Sequence, residues 1–266
     1  MRRREPDGLG RLVIAGVALY LGALLLVPLG ALVARALGDA PAVWEALRAE
    51  QALRALGLSA IVAVAAVILS GFFGVIGALV LTRQQFFGRR LLDALVDLPL
   101  ALSPVMTGLA FLLLFGRSGW LRPALERLDL SVAFAWPGVL LATLFVTLPF
   151  TLREVALVLD ALGDAEEQAA ATLGATPWQT FWRVTLPNIR GGLVLGTTLT
   201  LARALGEFGA VLVLGGGIAN RTQTATTFIH AAVEERQEPA AFGVALILAA
   251  ASVALLTLLE RWRSAP

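Results

Sequence analysis

The sequence contains no cysteine and no lysine, and His230 is its single histidine. Without cysteine, the chain can form neither a disulfide framework nor a thiolate metal site, and one histidine cannot build a multi-histidine metal centre. A P-loop ATPase needs a lysine on the β- and γ-phosphates, so we expect no such ATPase site in this chain. No catalytic triad or pair of catalytic carboxylates stands out, and we predict that the chain is not itself an enzyme.

Charged residues are also scarce, at 15% of the chain, whereas 58% of the residues are hydrophobic and the mean hydropathy is +0.81. A soluble domain has about 25% charged and about 45–50% apolar residues. The composition therefore excludes a cytosolic enzyme, a nucleic-acid-binding protein and a disordered chain. It predicts an integral membrane protein that is surrounded by lipid and has no nucleic-acid partner.

Six stretches of the sequence are long enough to cross a membrane, which takes about 20 apolar residues. We predict one all-α transmembrane domain over residues 1–266, with helices at 12–34, 56–82, 94–116, 132–152, 192–215 and 239–259. Arg203 and Glu207 interrupt the fifth stretch and leave two runs that are each too short to span alone. We predict that these two runs join as one helix.

Six spans place both termini on the same side of the membrane, and the arginines indicate which side, because cytoplasmic loops are enriched in them. With the N-terminus inside, twelve arginines, including Arg2, Arg3 and Arg4, lie on the cytoplasmic side and eight lie outside. The sequence therefore predicts a multi-pass protein with cytoplasmic termini and a cytoplasmic loop at residues 153–190.

The first part of this loop carries the signals of a short helix. Asp164 and Glu167 have the spacing of a capping box at its start. A helix-forming run follows them, and Gly174 is the residue type that commonly ends a helix. We therefore predict a helix that ends at Gly174.

A second helix is predicted directly after this glycine. Thr176 and Gln179 have the spacing of another capping box, and Pro177 sits at the first helical position, where its missing N–H is not needed. The dipeptide Leu186-Pro187 is predicted to end this helix. The two helices form an elbow, by which we mean residues 164–187.

Three aromatic residues of the elbow, Trp178, Phe181 and Trp182, are spaced so that they share one helical face. Tryptophan is common at the membrane–water interface. The face therefore either lies in that interface or docks a soluble partner, and both can hold.

The elbow residues follow a known spaced motif, which is EAA, three residues, glycine, nine residues and Ile-x-Leu-Pro. Here it reads Gln168-Ala169-Ala170, Gly174 and Val184-Thr185-Leu186-Pro187. In this motif the chain resembles the permease subunits of binding-protein-dependent ABC importers, apart from Gln168, where the family has glutamate. The resemblance implies that a cytoplasmic ATPase docks on seven positions: Glu167, Gln168, Ala169, Ala170, Gly174, Leu186 and Pro187.

Longer segments resemble the sulfate/thiosulfate permeases, especially the second of the two homologous permeases in that system. These segments are 97–99, 103–105, 115–116, 141–147, 178–188 and 202–210. Molybdate and tungstate permeases share the segment from Arg203 to Gly209, so that segment does not choose the anion, whereas 178–188 favours sulfate.

The resemblance implies the type I ABC importer permease fold in the bacterial inner membrane. It also implies the partners, which are a homologous second permease in a heterodimer, two copies of a cytoplasmic ABC ATPase and a periplasmic sulfate-binding protein. ATP and Mg would bind to the ATPase, and this chain would need no cofactor of its own.

Four polar residues inside the predicted spans are candidates for the translocation path or its gate. Arg203 and Glu207 either form a structural or gating ion pair, or the arginine contacts the anion, because ionisable residues in a membrane mark functional sites by default. Arginine before glutamate is the weaker order for a pair within one helix, so we expect at least one of the two to reach a neighbouring helix. Ser103 and Thr107 share one face of the third span, where they either line a polar path or bond back to the preceding turn.

Two alternative functions remain open at this point. In the same class, a molybdate or tungstate permease would work as a homodimer. In a different class, a stand-alone secondary anion transporter or channel would need no ATPase. The elbow motif argues against the second alternative, because a channel has no use for a docking loop.

Overall fold

The computed structural model describes residues 8–263, and these residues form helices and connecting turns without a strand. The helices are α1 (Gly8–Gly38), α2 (Ala40–Arg48), α3 (Glu50–Arg83), α4 (Arg89–Ala101), α5 (Pro104–Phe115), α6 (Arg122–Arg127), α7 (Trp136–Leu162), α8 (Ala165–Thr172), α9 (Pro177–Thr180), α10 (Leu186–Leu205), α11 (Gly209–Gly215), α12 (Ala225–Glu234) and α13 (Glu238–Arg263). A π-helical turn, Phe181–Thr185, joins α9 to α10. Arg2, Arg3 and Arg4, on which the topology prediction partly rests, lie outside the described residues.

Four of the described helices, α1, α3, α7 and α13, are each long and apolar enough to cross a membrane. Six spans are reached if two bent pairs, α4 with α5 and α10 with α11, each count as one. The predicted spans 94–116 and 192–215 are therefore not single helices, and the prediction that the runs on either side of the pair Arg203 and Glu207 join as one helix is wrong. Residues 153–162 of the predicted loop belong to α7.

The first bent pair turns by 114° between α4 and α5. Pro104 has no N–H to donate, and its ring disfavours a helical conformation at the residue before it. Ser103 is accordingly extended, with φ −61° and ψ 137°. The Ser103-Pro104 dipeptide thus ends one helix and begins the next.

The second bent pair turns by 58° between α10 and α11. The chain leaves the helix at Gly206, a residue with low helix propensity, and Phe208 has φ −132° and ψ −60°. Glu207 therefore lies outside both helices, at the break itself.

α3, α7 and α10 form the centre of the bundle, and small residues let them approach closely. A Cβ on Gly74 of α3 would lie 3.1 Å from the backbone nitrogen of Leu152 in α7. A Cβ on Gly196 of α10 would lie 2.7 Å from the Cα of Thr151. The hydroxyls of Thr151 and Thr200 are hydrogen-bonded at 2.9 Å in this buried region. Backbone contact therefore fixes α7 between its two neighbours.

One long helix runs from Pro177 to Leu205 through α9, the π-helical turn and α10. The prediction that Leu186-Pro187 ends the second elbow helix is therefore wrong. In a regular α-helix, the ring of Pro187 would clash with the carbonyl of Arg183 four residues earlier. In the π-helical turn, hydrogen bonds reach five residues back, and the N–H of Leu186 bonds to the carbonyl of Phe181. The wider turn accommodates the proline, so the helix continues.

Candidate functional site

The first elbow helix, α8, ends at Gly174, as the sequence predicts. Gly174 has φ +84°, in the left-handed region that glycine adopts without strain. Its N–H bonds to Ala171 O at 3.0 Å, and the N–H of Ala175 bonds to Ala170 O at 3.0 Å, which together form a Schellman ending. No atom lies within 4 Å of the position of a Cβ on Gly174. Backbone conformation, and not space, therefore restricts this position.

The start of α8 differs from the prediction, because Asp164 makes no side-chain capping bond. Glu167 Oε2 instead accepts a hydrogen bond from Arg83 Nε at 2.9 Å, and Glu167 Oε1 accepts one from the hydroxyl of Thr185 at 2.8 Å. Hydrogen bonds between two charged groups are stronger than neutral ones, so the guanidinium takes the carboxylate that the predicted capping box would use. The Asp164–Glu167 capping box is therefore wrong.

The second capping box is confirmed. The backbone N–H of Thr176 donates to Gln179 Oε1 at 2.9 Å, and the backbone N–H of Gln179 donates to Thr176 Oγ1 at 3.3 Å. Pro177 lies in the first turn of α9. The elbow thus consists of a glycine turn between a Schellman ending and a capped helix start.

The elbow presents a mixed polar and aromatic surface. Trp178 and Trp182 are 69% and 49% exposed, whereas Phe181 packs against the apolar cluster between α3 and α7. Of the seven positions to which the resemblance assigns docking, four are exposed and three are half-buried. The exposed ones are Gln168, Ala169, Gly174 and Pro187, and the half-buried ones are Glu167, Ala170 and Leu186.

The two helix breaks lie against each other inside the bundle. A Cβ on Gly209 would lie 3.1 Å from Pro104 Cβ, and a Cβ on Gly108 would lie 2.9 Å from Ala210 O. α5 and α11 therefore leave their breaks side by side and in the same direction. The structure brings into one region the two breaks that carry the polar residues singled out by sequence, which are Ser103, Thr107, Arg203 and Glu207.

Arg203 and Glu207 form an ion pair across the second break, with Arg203 Nη2 2.7 Å from Glu207 Oε2. The side chain of Glu207 is 1% exposed and that of Arg203 is 31% exposed. Glu207 Oε1 also accepts a hydrogen bond from Ala210 N at 3.0 Å. Glu207 lies outside α10, so the rule for pairs within a helix does not apply, and its side chain reaches the first turn of the next helix, α11, through Ala210 N.

Ser103 is exposed at the first break, and Thr107 is buried, with 2% exposure. Thr107 Oγ1 has no hydrogen-bond partner among the described residues. Thr143 and Thr147, by contrast, bond back to the preceding turn at 2.9 and 2.8 Å. An unpaired buried hydroxyl costs about 1–3 kcal/mol, so Thr107 has a polar group that a further partner at the break could use.

Sequence reasoning missed two arginines, which it counted only among the twelve on the cytoplasmic side. One is Arg83, described above, and the other is Arg153 of α7. Arg153 bonds to Asp97 through Nε at 2.7 Å and through Nη2 at 2.8 Å, and to Asp93 through Nη1 at 2.6 Å. This clamp fixes α4 to α7, and the four-residue spacing of the two aspartates is the sequence signal that could have indicated it.

Comparison with known proteins gives a consistent family. Residues 70–264 match the family model described as binding-protein-dependent transport system inner membrane component. The chain is 41% identical over 257 residues to the sulfate transport system permease protein CysW of Synechococcus elongatus, covering 96% of this chain and 90% of that protein. It is 40% identical over 254 residues to the sulfate transport system permease protein CysT of Escherichia coli, covering 92% of each.

Solved structures share the fold. One chain of a bacterial ABC transporter involved in the import of the acidic polysaccharide alginate superposes with a TM-score of 0.79 at 16% identity, covering 96% of this chain and 95% of that one. A chain of the inward-facing MetNI methionine ABC transporter gives a TM-score of 0.54 at 18% identity, covering 80% and 96%. The all-helical architecture is therefore that of ABC importer permeases.

Proposed function

The chain belongs to the family of binding-protein-dependent transport system inner membrane components, and we propose on this premise that it is the permease subunit of an ABC importer for sulfate or thiosulfate. The observation that carries the proposal is the 41% identity to a sulfate permease over 96% of the chain. The subunit is not itself an ATPase. The energy for translocation comes from ATP, with Mg, bound to a partner ATPase.

The elbow is the docking site for this ATPase. Its exposed surface of Gln168, Ala169, Gly174 and Pro187, together with the two indoles, is available to a soluble partner. Ala170 and Leu186 support this surface from below. Because Arg83 and Thr185 engage its carboxylate, Glu167 supports the docking surface and leaves the direct polar contact to Gln168.

The complete importer contains further subunits. Relatives named CysW and CysT both match nearly the whole chain, which supports a heterodimer of two homologous permeases. Two copies of a cytoplasmic ABC ATPase and a periplasmic sulfate-binding protein complete the assembly. In this arrangement both termini and the elbow lie on the cytoplasmic side of the bacterial inner membrane.

The two adjoining helix breaks form the gate of the anion path. The carboxylate of Glu207 neutralises Arg203 and accepts the N–H of Ala210, so the arginine serves as half of a gating ion pair and not as a free cation for the anion. The hydroxyls of Ser103 and Thr107, at the other break, can donate to an oxyanion that passes.

Uptake of radiolabelled sulfate into proteoliposomes tests the proposal. The chain is reconstituted with its second permease, ATPase and binding protein, and thiosulfate and molybdate are added as competitors. We expect uptake that requires ATP and is inhibited by thiosulfate but not by molybdate. Inhibition by molybdate alone would identify a molybdate or tungstate permease, and uptake that needs no ATP or ATPase would identify a secondary transporter.

A further inference from the structure

Apolar packing does not set the position of the first elbow helix. α8 has no buried residue. An open cavity of about 400 Å³ lies between the elbow and the C-terminal end of α3, and Leu79, Phe181 and Ala171 are among the residues that line it. Polar contacts must therefore hold α8 against the transmembrane helices.

Arg83 supplies one of those contacts, besides an exposed hydrogen bond from Asn188 of α10 to Glu166, and Arg83 alone of these residues also reaches α7. It is the last residue of α3, and each nitrogen of its guanidinium has a different acceptor. Nε donates to Glu167 Oε2 at 2.9 Å, Nη1 to Leu159 O at 3.2 Å and Nη2 to Gly163 O at 2.7 Å. Leu159 and Gly163 are at the C-terminal end of α7, where a cation is favourable. Arg83 thus joins the end of α3 to the end of α7 and to the first turn of α8.

The same contact continues into the long helix that begins at Pro177. Glu167 receives Arg83 on one carboxylate oxygen and the hydroxyl of Thr185 on the other. Thr185 is 5% exposed, and the side chains of Arg83 and Glu167 are 18% and 22% exposed. The contacts from Arg83 to Glu167 and from Thr185 to Glu167 are therefore partly shielded from water, and they connect three helices through one carboxylate.

We propose that Arg83 is a positioning residue of the importer, which fixes the angle of the elbow to α3 and α7. A displacement of the elbow by the partner ATPase then reaches the transmembrane core, and is not absorbed by movement of α8 over the cavity. The inference rests on the proposed function, since it assigns to Arg83 the coupling between ATP hydrolysis and transport. An arginine is needed because its donors sit on three separate nitrogens of a planar fork, each beside a different acceptor, whereas lysine presents all three of its donors from one nitrogen.

The first test measures the position of the elbow by electron paramagnetic resonance. The chain has no cysteine, so Gln85→Cys and Ala165→Cys place spin labels at two exposed positions, in a complex whose other subunits have their cysteines replaced. We expect Arg83→Gln to broaden the distance distribution between the labels. Arg90→Gln is the matched control, because Arg90 is exposed and makes no ion pair among the described residues, and its distribution should equal that of the wild type.

The second test measures sulfate ions imported per ATP hydrolysed in proteoliposomes. Losing a charged hydrogen-bond network of this kind should lower the ratio about tenfold in Arg83→Gln. Glu167→Gln should lower it similarly, and the double variant should be no worse than either, because the two residues act through one contact. A merely structural role would reduce the amount of complex recovered and leave the ratio unchanged, which would overturn the proposal.

Arg83→Lys keeps the proposal testable where Arg83→Gln is not recovered. It retains the charge but loses the fork, so its label distances should broaden, and a wild-type distribution would overturn the proposal. The label distances need no substrate. If the complex transports a different anion, the elbow measurement still decides the role of Arg83 independently of the sulfate assignment.

Discussion

A graded series of substitutions at Gly174 tests whether the backbone shape of the elbow controls transport. Gly174 has φ +84° and open space around the position of a Cβ, so only the left-handed conformation penalises a side chain. That penalty is about 1–2 kcal/mol for an ordinary residue, smaller for asparagine and aspartate, and larger for a β-branched residue. Since 1.4 kcal/mol corresponds to a factor of ten, we expect uptake to fall in the order Gly, Asn, Asp, Ala, Val, with Val at least about tenfold below the wild type.

The assay is ATP-dependent sulfate uptake, divided by the amount of the chain in the membrane. Gly191→Ala is the matched control, because Gly191 lies inside α10 with no atom within 4 Å of a Cβ, and its uptake should equal that of the wild type. Wild-type uptake by Gly174→Val would refute the reasoning. An asparagine variant as inactive as the valine variant would also refute it, since the chemistry of the surface, and not the backbone, would then matter.

Two further predictions concern the transmembrane core. Gly192→Ala places a Cβ 2.7 Å from Glu154 O, and such overpacking costs about 1–3 kcal/mol. The Tm of the purified complex should therefore fall below that of Gly191→Ala, by about 2–4 °C per kcal/mol, and equal values would contradict the close packing of α7 and α10. Glu207→Gln keeps an acceptor for Ala210 N but leaves Arg203 unpaired, so sulfate uptake should fall about tenfold. Adding Arg203→Gln to this variant should restore part of the lost uptake, because removing both charges is less costly than removing one. A double variant no better than the single one would contradict a gating ion pair.

Features that depend on neighbouring residues could be predicted from the sequence. The Thr176–Gln179 capping box and the turn at Gly174 each involve groups within five residues of one another. The all-helical membrane fold follows from the length of the uncharged stretches, because a bilayer leaves the backbone no other partners than its own.

Features that depend on distant residues could not be predicted in this way. Arg83 and Glu167 are 84 positions apart, so the sequence does not indicate that they pair. Spacing alone instead favoured a capping box between Glu167 and the nearby Asp164. Pro187 signals a helix end by its chemistry, and nothing in one sequence shows that a π-helical turn accommodates it. The contact between the breaks at Pro104 and Gly209 is likewise set by tertiary packing. The residues within each span do not indicate which other span they will contact.

The unbroken helix from Pro177 to Leu205 makes the elbow and the second break two ends of one lever. The helix packs equally closely against α7 at Gly192 and Gly196, where a Cβ would lie 2.7 Å from Glu154 O and 2.7 Å from Thr151 Cα, and these contacts can serve as the fulcrum. Measured from midway between the two glycines at 1.5 Å per residue, the arm towards the elbow is about 26 Å long and the arm towards the break is about 17 Å long. With the proposed function, a displacement of the elbow would reach the Arg203–Glu207 pair with about two thirds of its size and about one and a half times its force. Such gearing would suit a short, strong movement that separates this ion pair.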